Sequence, residues 1–349
     1  MHFSRSGYGT AFNMAYEVSF LLLPAIFDYK KRRFGYSRNQ TAAYLYQNAI
    51  NTIMNIVVTG SLGHISKPLT TALVRKGHDV TVISSKSERQ KEIQSLGAKA
   101  AIGTMEDARF LSATFHGADL VYVMETLGDD GFFDPNLDAV AALTEIGNAY
   151  KEAILQSGVK RVIHLSSIGA DKGPGLLRFH YNIENILKQL PDDVSIKFMR
   201  PVGFYYTMFA FIPTIKTHGS ILSNYGGDQK EPWVSTLDIA AVIAEEMETP
   251  FENRKVRYIA SDEVSPNEVA LILGKAIGKP DLQWKIISDE QMLNSLLAAK
   301  MNPKAAQGFV EMNAARRTDL YDDYTEHKPI LGHVKLTDFA KEFAAVYNR

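Results

Sequence analysis

The chain has 349 residues, 46% hydrophobic and 22% charged, with a formal net charge of −1. That balance excludes disordered and fibrous classes and argues against a nucleic-acid surface, which needs a basic excess. With no cysteine, disulfides, thiolate nucleophiles and Cys-ligated zinc are ruled out. Nine histidines without HExxH-type spacing give no expectation of a metal.

Residues 1–53 lack the regular alternation that follows. Their apolar run from Val18 to Phe27 contains Pro24 and is too short to span a bilayer. Lys30, Lys31, Arg32 and Arg33 follow that run rather than precede it, so no signal peptide is read. At Met54 the text changes abruptly to MNIVVTG. Two readings stand: an appendage that packs on a partner, or an over-extended start with translation from Met54. The second is the expectation, with 1–53 not part of the fold.

From Met54 the elements come in alternation. A short β-branched strand is predicted over 55–59 and a tight turn of small residues over 60–66. Pro68 is tolerated in a first helical turn, and that helix runs to Lys76 with Gly77 as its stop. A strand over 80–83 follows. Ser87 and Gln90 have capping-box spacing and are expected to open a helix ending at Gly97. Then come a strand over 100–102, a helix stopped by Gly117 and a strand over 120–124. A long helix over 136–156 is closed by Gly158. A strand over 162–166, a helix over 176–190 and a strand over 194–199 complete six units.

Strands alternating with helices of this length imply βαβ units, right-handed crossovers and a parallel sheet. The predicted class is therefore α/β, a doubly wound Rossmann fold over 54–200. Beyond Pro201 the rhythm loosens. Phe204, Tyr205, Tyr206, Phe209 and Phe211 form an aromatic run, which can wall a pocket for flat π-systems or fill the core. Gly- and Pro-bearing loops are expected up to Trp233. A helix over 238–248 and a strand over 256–260 follow, and Ser265, Pro266 and Glu268 make a good helix start. Residues 282–349 are read as one strand and three helices.

The segment TGSLGHIS sets Gly60, Gly63 and Ser66 at G-x-x-G-x-x-small spacing between a strand and a helix. Gly60 permits the sharp turn, and Gly63 lets the backbone approach a pyrophosphate. The N–H groups around Ser61, His64 and Ile65, at the helix start, are placed to bind phosphate charge. At the end of the second strand an NAD-specific domain usually carries an acid for the ribose hydroxyls. Here stand Ser84, Ser85, Lys86, Ser87 and Arg89. Hydroxyls and two cations suit a 2′-phosphate, so NADP(H) is expected over NAD(H). The competing reading leaves Lys86 and Arg89 as solvated residues of a helix start.

With MNIVVTGSLGHIS, VKRVIHLSSIGA, MRPVGFYYTMF and WVSTLDIA, nearly all of 54–349 resembles the NmrA-like members of the atypical short-chain dehydrogenase/reductase group. The resemblance implies Gly60, Gly63 and His64 at the pyrophosphate and Ser84 to Arg89 near the adenosine phosphate. It implies Met124 and Glu125 beside the cofactor, and Ser166 and Ser167 near the nicotinamide. Gly203, Phe204 and Tyr205 would line the substrate pocket, and 201–349 would form a smaller C-terminal α/β substrate-side subdomain.

One departure concerns catalysis. Ordinary members of the wider group use Tyr-x-x-x-Lys after the fifth strand, but here Asn185 follows Tyr181. His180, Tyr181 and Ser167 remain candidate catalytic donors or orienters. Their bland roles are a helix-surface His, a packed Tyr and a loop hydroxyl. His164 is read as a satisfied core residue.

Two functions stay open. One is an NADPH-dependent reductase of a quinone or small conjugated carbonyl, and the other a non-catalytic NADP(H)-binding regulator of a partner protein. A cytoplasmic monomer or homodimer acting on a small molecule is expected, with no nucleic acid or membrane as partner.

Overall fold

The computed structural model describes residues 53–128 and 131–349, and the expected N-terminal extension lies, apart from Ile53, outside the described residues. The strands are β1 (Asn55–Val58), β2 (Asp79–Ser84), β3 (Lys99–Ile102), β4 (Leu120–Val123), β5 (Arg161–Leu165), β6 (Ser195–Pro201), β7 (Gly203–Phe204), β8 (Ser220–Ser223), β9 (Glu231–Val234), β10 (Arg254–Ile259), β11 (Asp262–Val264) and β12 (Gln283–Ile286). Seven of them pair in the order β10-β6-β5-β4-β1-β2-β3, all parallel. This is the doubly wound Rossmann order, with its switch point between β1 and β4.

The helices are α1 (Ser66–Arg75), α2 (Gln90–Ser95), α3 (Ala108–Phe115), α4 (Ala139–Ser157), α5 (Arg178–Leu187), α6 (Ile212–His218), α7 (Thr236–Glu246), α8 (Pro266–Ala276), α9 (Asp289–Ala298), α10 (Pro303–Ala315), α11 (Asp322–Glu326) and α12 (Leu336–Tyr347). Buried strand residues alternate between two cores, as the period of two requires. Ile56, Val58 and Ile163 pack with Leu69, Ile239 and Ile243, whereas Val57, Val121 and Val162 pack with Leu143, Ile146 and Ile183. No helix among the described residues is long and apolar enough to cross a membrane.

The structure departs from the sequence reading at four places. The capping box at Ser87 does not form: Ser87–Arg89 is a single 3-10 turn without a side-chain cap and runs directly into α2. The stretch expected as loops before Trp233 holds α6 and β8, because Pro213 sits in the first turn of α6, where its missing N–H costs nothing. The sheet gains a seventh strand, since β10, far along the chain, pairs with β6 through six residues. The tail beyond β12 carries four helices rather than three. By contrast, the Ser265–Glu268 capping box forms as predicted.

The C-terminal part adds a sheet ordered β11-β9-β7 and a pair β12-β8. Its core gathers Tyr205, Met208, Trp233, Trp284, Phe339 and Phe343.

Candidate functional site

The parallel register lines up the carboxyl ends of the strands. Val58 pairs with Val82 on one side and Tyr122 on the other, and Val123 pairs with His164. The residues just past β1, β2, β4, β5 and β6 therefore share one edge, and ligands of such sheets bind outside this edge at the switch point.

After β1 the chain turns sharply. Thr59 donates its N–H to Tyr122 O at 3.1 Å, and its Oγ1 accepts from Met124 N–H at 2.9 Å. Gly60 has φ +83, and a Cβ there would meet Ser66 Oγ at 2.6 Å and Met124 Sδ at 2.8 Å. Only glycine fits on both counts. Ser61 also takes a left-handed φ of 53. Its N–H reaches Ile83 O at 3.1 Å, and its hydroxyl donates to Ser84 Oγ at 2.9 Å.

Gly63 is exposed, with its N–H closing the turn on Gly60 O at 3.1 Å. Ser66 stands where a third glycine is usual, and its hydroxyl donates to Thr59 O at 2.9 Å, which ties helix to strand. Helix α1 opens at Ile65 with no side-chain cap. The Lys67 N–H is spent on Gly63 O at 3.0 Å and Pro68 has none, so the donors without a partner among the described residues are the His64, Ile65 and Ser66 N–H groups. The turn thus presents these backbone donors at the carboxyl edge of the sheet.

Beyond β2, Ser84 is buried and Ser85 and Lys86 are exposed. Lys86 makes no ion pair among the described residues, while Arg89 lies 3.3 Å from Glu92 in an open pair. Such exposed pairs exchange partners at little cost.

Past β4, Met124 closes over the Gly60 turn. Glu125 turns inward: its carboxylate lies 3.1 and 3.3 Å from His164 Nε2. Past β5, Ser166 is buried, with its hydroxyl donating to Glu184 at 2.6 Å. Glu184 in turn receives Arg200 through two bonds of 2.9 and 2.8 Å. Burial pushes the Glu184 carboxyl up, but Arg200, Ser166 and Lys188 outweigh it and hold it down at about 2. Ser166 is thus committed below the cleft, and the half-buried Ser167 is the hydroxyl nearer the edge.

On α5, Tyr181 lies under the Arg178 guanidinium, 5.3 Å away, and packs against Gly173. His180 leans on the Phe179 ring at 3.9 Å. Its Nδ1 has no partner among the described residues. Burial, with His164 nearby, pushes its pKa down to about 3, so it is neutral at ordinary pH.

The aromatic run divides. Residues Tyr205–Phe211 form a 3-10 helix, so neighbouring side chains fan around its axis. Tyr205 is a correction: it is buried and stacks on Phe339 at 5.5 Å, so it fills the core rather than lining a pocket. Tyr206 is the residue left open, 44% exposed. Its ring meets His64 of the phosphate-type turn, with centroids 3.9 Å apart. Gly203 and Phe204 are half-buried; a Cβ on Gly203 would approach the Trp233 ring at 3.2 Å.

Two features escaped the sequence reading. Tyr206 could not be singled out among adjacent aromatics. Glu125, His164 and His180 offer donor atoms within 4.8 Å of one another, and they come from three elements with no fixed spacing.

The fold and this edge define a Rossmann-type α/β protein of nucleotide-binding architecture. The model of the NmrA-like family matches residues 53–337, and the chain belongs to that family. A relative is the NAD(P)H azoreductase of Xenophilus azovorans, 24% identical over 296 residues, 84% of this chain and 99% of that protein. Among solved structures, the quinone oxidoreductase QOR2 of Escherichia coli with NADPH matches with TM-score 0.67 and 19% identity, over 82% of this chain and 99% of that one. The Citrobacter triphenylmethane reductase with NADP(H) matches with TM-score 0.64 and 19% identity, over 83% and 99%.

Proposed function

We propose that this chain is an NADPH-dependent reductase of a quinone or another small conjugated carbonyl. The observation that carries this reading is the shared edge itself. A glycine turn with free helix-start N–H groups faces, across the switch point, an exposed tyrosine on an aromatic segment. The names of the relatives, two of them reductases of conjugated dyes or azo compounds, point the same way.

In this reading Gly60 to Ile65 hold the diphosphate and Ser84, Ser85, Lys86 and Arg89 the adenosine 2′-phosphate. Met124 and Ser167 border the nicotinamide, and Phe204 and Tyr206 flank the acceptor. When bound, NADPH would supply a hydride to the acceptor. The chain lacks a Lys four residues after Tyr181, so the Tyr-x-x-x-Lys pair for proton delivery is missing. Acceptors whose reduced oxygen is a stabilised phenolate need no such donor, because water can protonate them.

The test follows NADPH oxidation with small quinones and with simple aliphatic ketones. Measurable turnover of the first and little or none of the second is expected, with Tyr181→Phe costing less than the ~10²-fold typical of a positioned donor. Tight NADPH binding with no oxidation by any quinone would overturn the enzyme reading. Cofactor choice has its own check: Lys86→Ala with Arg89→Ala should weaken NADPH far more than NADH, and high salt should erode the same preference. Equal losses would make these cations ordinary surface charges.

A further inference from the structure

Glu125, His164 and His180 converge at the carboxyl edge of the main sheet. Glu125 stands just past β4, His164 lies within β5, and His180 sits in the first turn of α5. The Glu125 and His164 side chains are fully buried, in contact at 3.1 Å. One donor atom from each of the three residues lies within 4.8 Å of the others. Nδ1 of His164 and Nδ1 of His180 are both buried without a hydrogen-bond partner among the described residues. Buried polar atoms are normally satisfied, and each exception calls for an explanation such as an ion. His164 turns Nε2, not Nδ1, towards Glu125, so the orphan that an ion beside this carboxylate would account for is His180 Nδ1.

We propose that Glu125, His164 and His180 form a binding site for one divalent transition-metal cation of the Zn(II), Co(II) or Fe(II) class. Two imidazoles and one carboxylate suit these borderline ions, whereas Mg(II) and Ca(II) prefer oxygen alone. The cation would balance the Glu125 charge, which has only His164 as its hydrogen-bonding partner among the described residues. Ligation needs neutral imidazoles, so uptake should weaken as pH falls. Bonds of about 2.0–2.1 Å in a tetrahedron place donors roughly 3.4 Å apart. Glu125 and His164 are already at that spacing, so closure falls to His180.

Glu184, one turn further along α5, cannot compete as a ligand, because Arg200 and Ser166 occupy its carboxylate. Three protein ligands leave a fourth position for water or a substrate oxygen. The site does not depend on the reductase reading, since a cation could bind whether or not the chain turns over a dinucleotide.

The experiment uses the full chain freed of metal by chelation, titrated with Zn(II) and Co(II) in calorimetry, with the visible spectrum of Co(II) as a second readout. One cation per chain is expected, at about micromolar affinity or better, with an intense four-coordinate cobalt band. His180→Asn and Glu125→Gln, each checked for folding by circular dichroism, should weaken binding at least tenfold and weaken the band. If one variant fails to fold, the other decides. No saturable uptake by the unaltered chain overturns the proposal and leaves a hydrogen-bonded cluster. Uptake unchanged in a folded variant overturns it equally.

Discussion

At the scale of single residues, Gly60 and Gly63 play different parts in one turn. Gly60 is required by the fold itself, through its positive φ and the crowding of Ser66 and Met124. Gly63 has no such φ, and a Cβ there would meet only Gly60 O, at 3.2 Å. Gly63→Val should therefore fold with a melting temperature near the original. Its branched side chain would occupy the space a diphosphate needs, raising the NADPH dissociation constant at least tenfold, or about 1.4 kcal/mol. Unchanged affinity in the folded variant would move the site elsewhere. Both glycines were legible in TGSLGHIS, because spacing between a strand and a helix is a local pattern. Tyr205 and Tyr206 were not, since which of two adjacent aromatics turns inward depends on Phe339, more than a hundred residues away.

Glu184 gives a second residue-scale prediction. Its carboxyl is held at about 2 in the fold, against an ordinary 4.5. A depressed carboxyl contributes stability that is complete above 4.5 and is lost as pH falls towards 2. For a buried group the displacement corresponds to roughly 3 kcal/mol. Urea unfolding across that window should record the decline, and Glu184→Gln should flatten it. At neutral pH the same variant should be destabilised by about 3–5 kcal/mol, because Arg200 is left buried with less to pair it.

Between elements, α4 and α5 pack closely where Gly147 faces Ile183. A Cβ on Gly147 would come within 2.7 Å of Ile183 Cγ1. Alanine gains about 1 kcal/mol over glycine in a helix interior, whereas overpacking costs about 1–3 kcal/mol. Ile183 is β-branched and stiff, so the second effect should win. Gly147→Ala is expected to lower stability by about 1–2 kcal/mol in denaturant unfolding. In an Ile183→Ala background, which lacks both γ carbons, the same substitution should cost less, and a stabilised single variant would contradict this packing. Helix ends of this kind were readable: Gly158 closes α4 in the left-handed conformation its position implied. Helix α6 was not, because a proline such as Pro213 carries the same local signal in a loop and in a first turn.

For the whole molecule, the parallel order followed from alternation, but membership of β10 in the sheet did not. Its pairing with β6 joins residues separated by more than fifty positions, and no periodicity encodes that. We propose that the fold begins at Met54, where the pattern changes and where one compact unit, Met54–Arg349, starts. A chain beginning at Met54 should keep its melting temperature and dinucleotide affinity. Loss of several kcal/mol on truncation would assign residues 1–53 a part in the fold.

The ring contact between His64 and Tyr206 bears on how fast a dinucleotide can enter. If, as proposed, one ring belongs to the diphosphate turn and the other to the acceptor side, a dinucleotide lying across the edge has to pass between them. Capture then requires a unimolecular opening before the bimolecular step. In stopped-flow mixing, the observed association rate should rise with NADPH concentration and then level off at the opening rate. Tyr206→Ala should abolish the plateau and restore a linear dependence. A linear dependence in the unaltered chain would mean that the two rings part faster than any cofactor arrives.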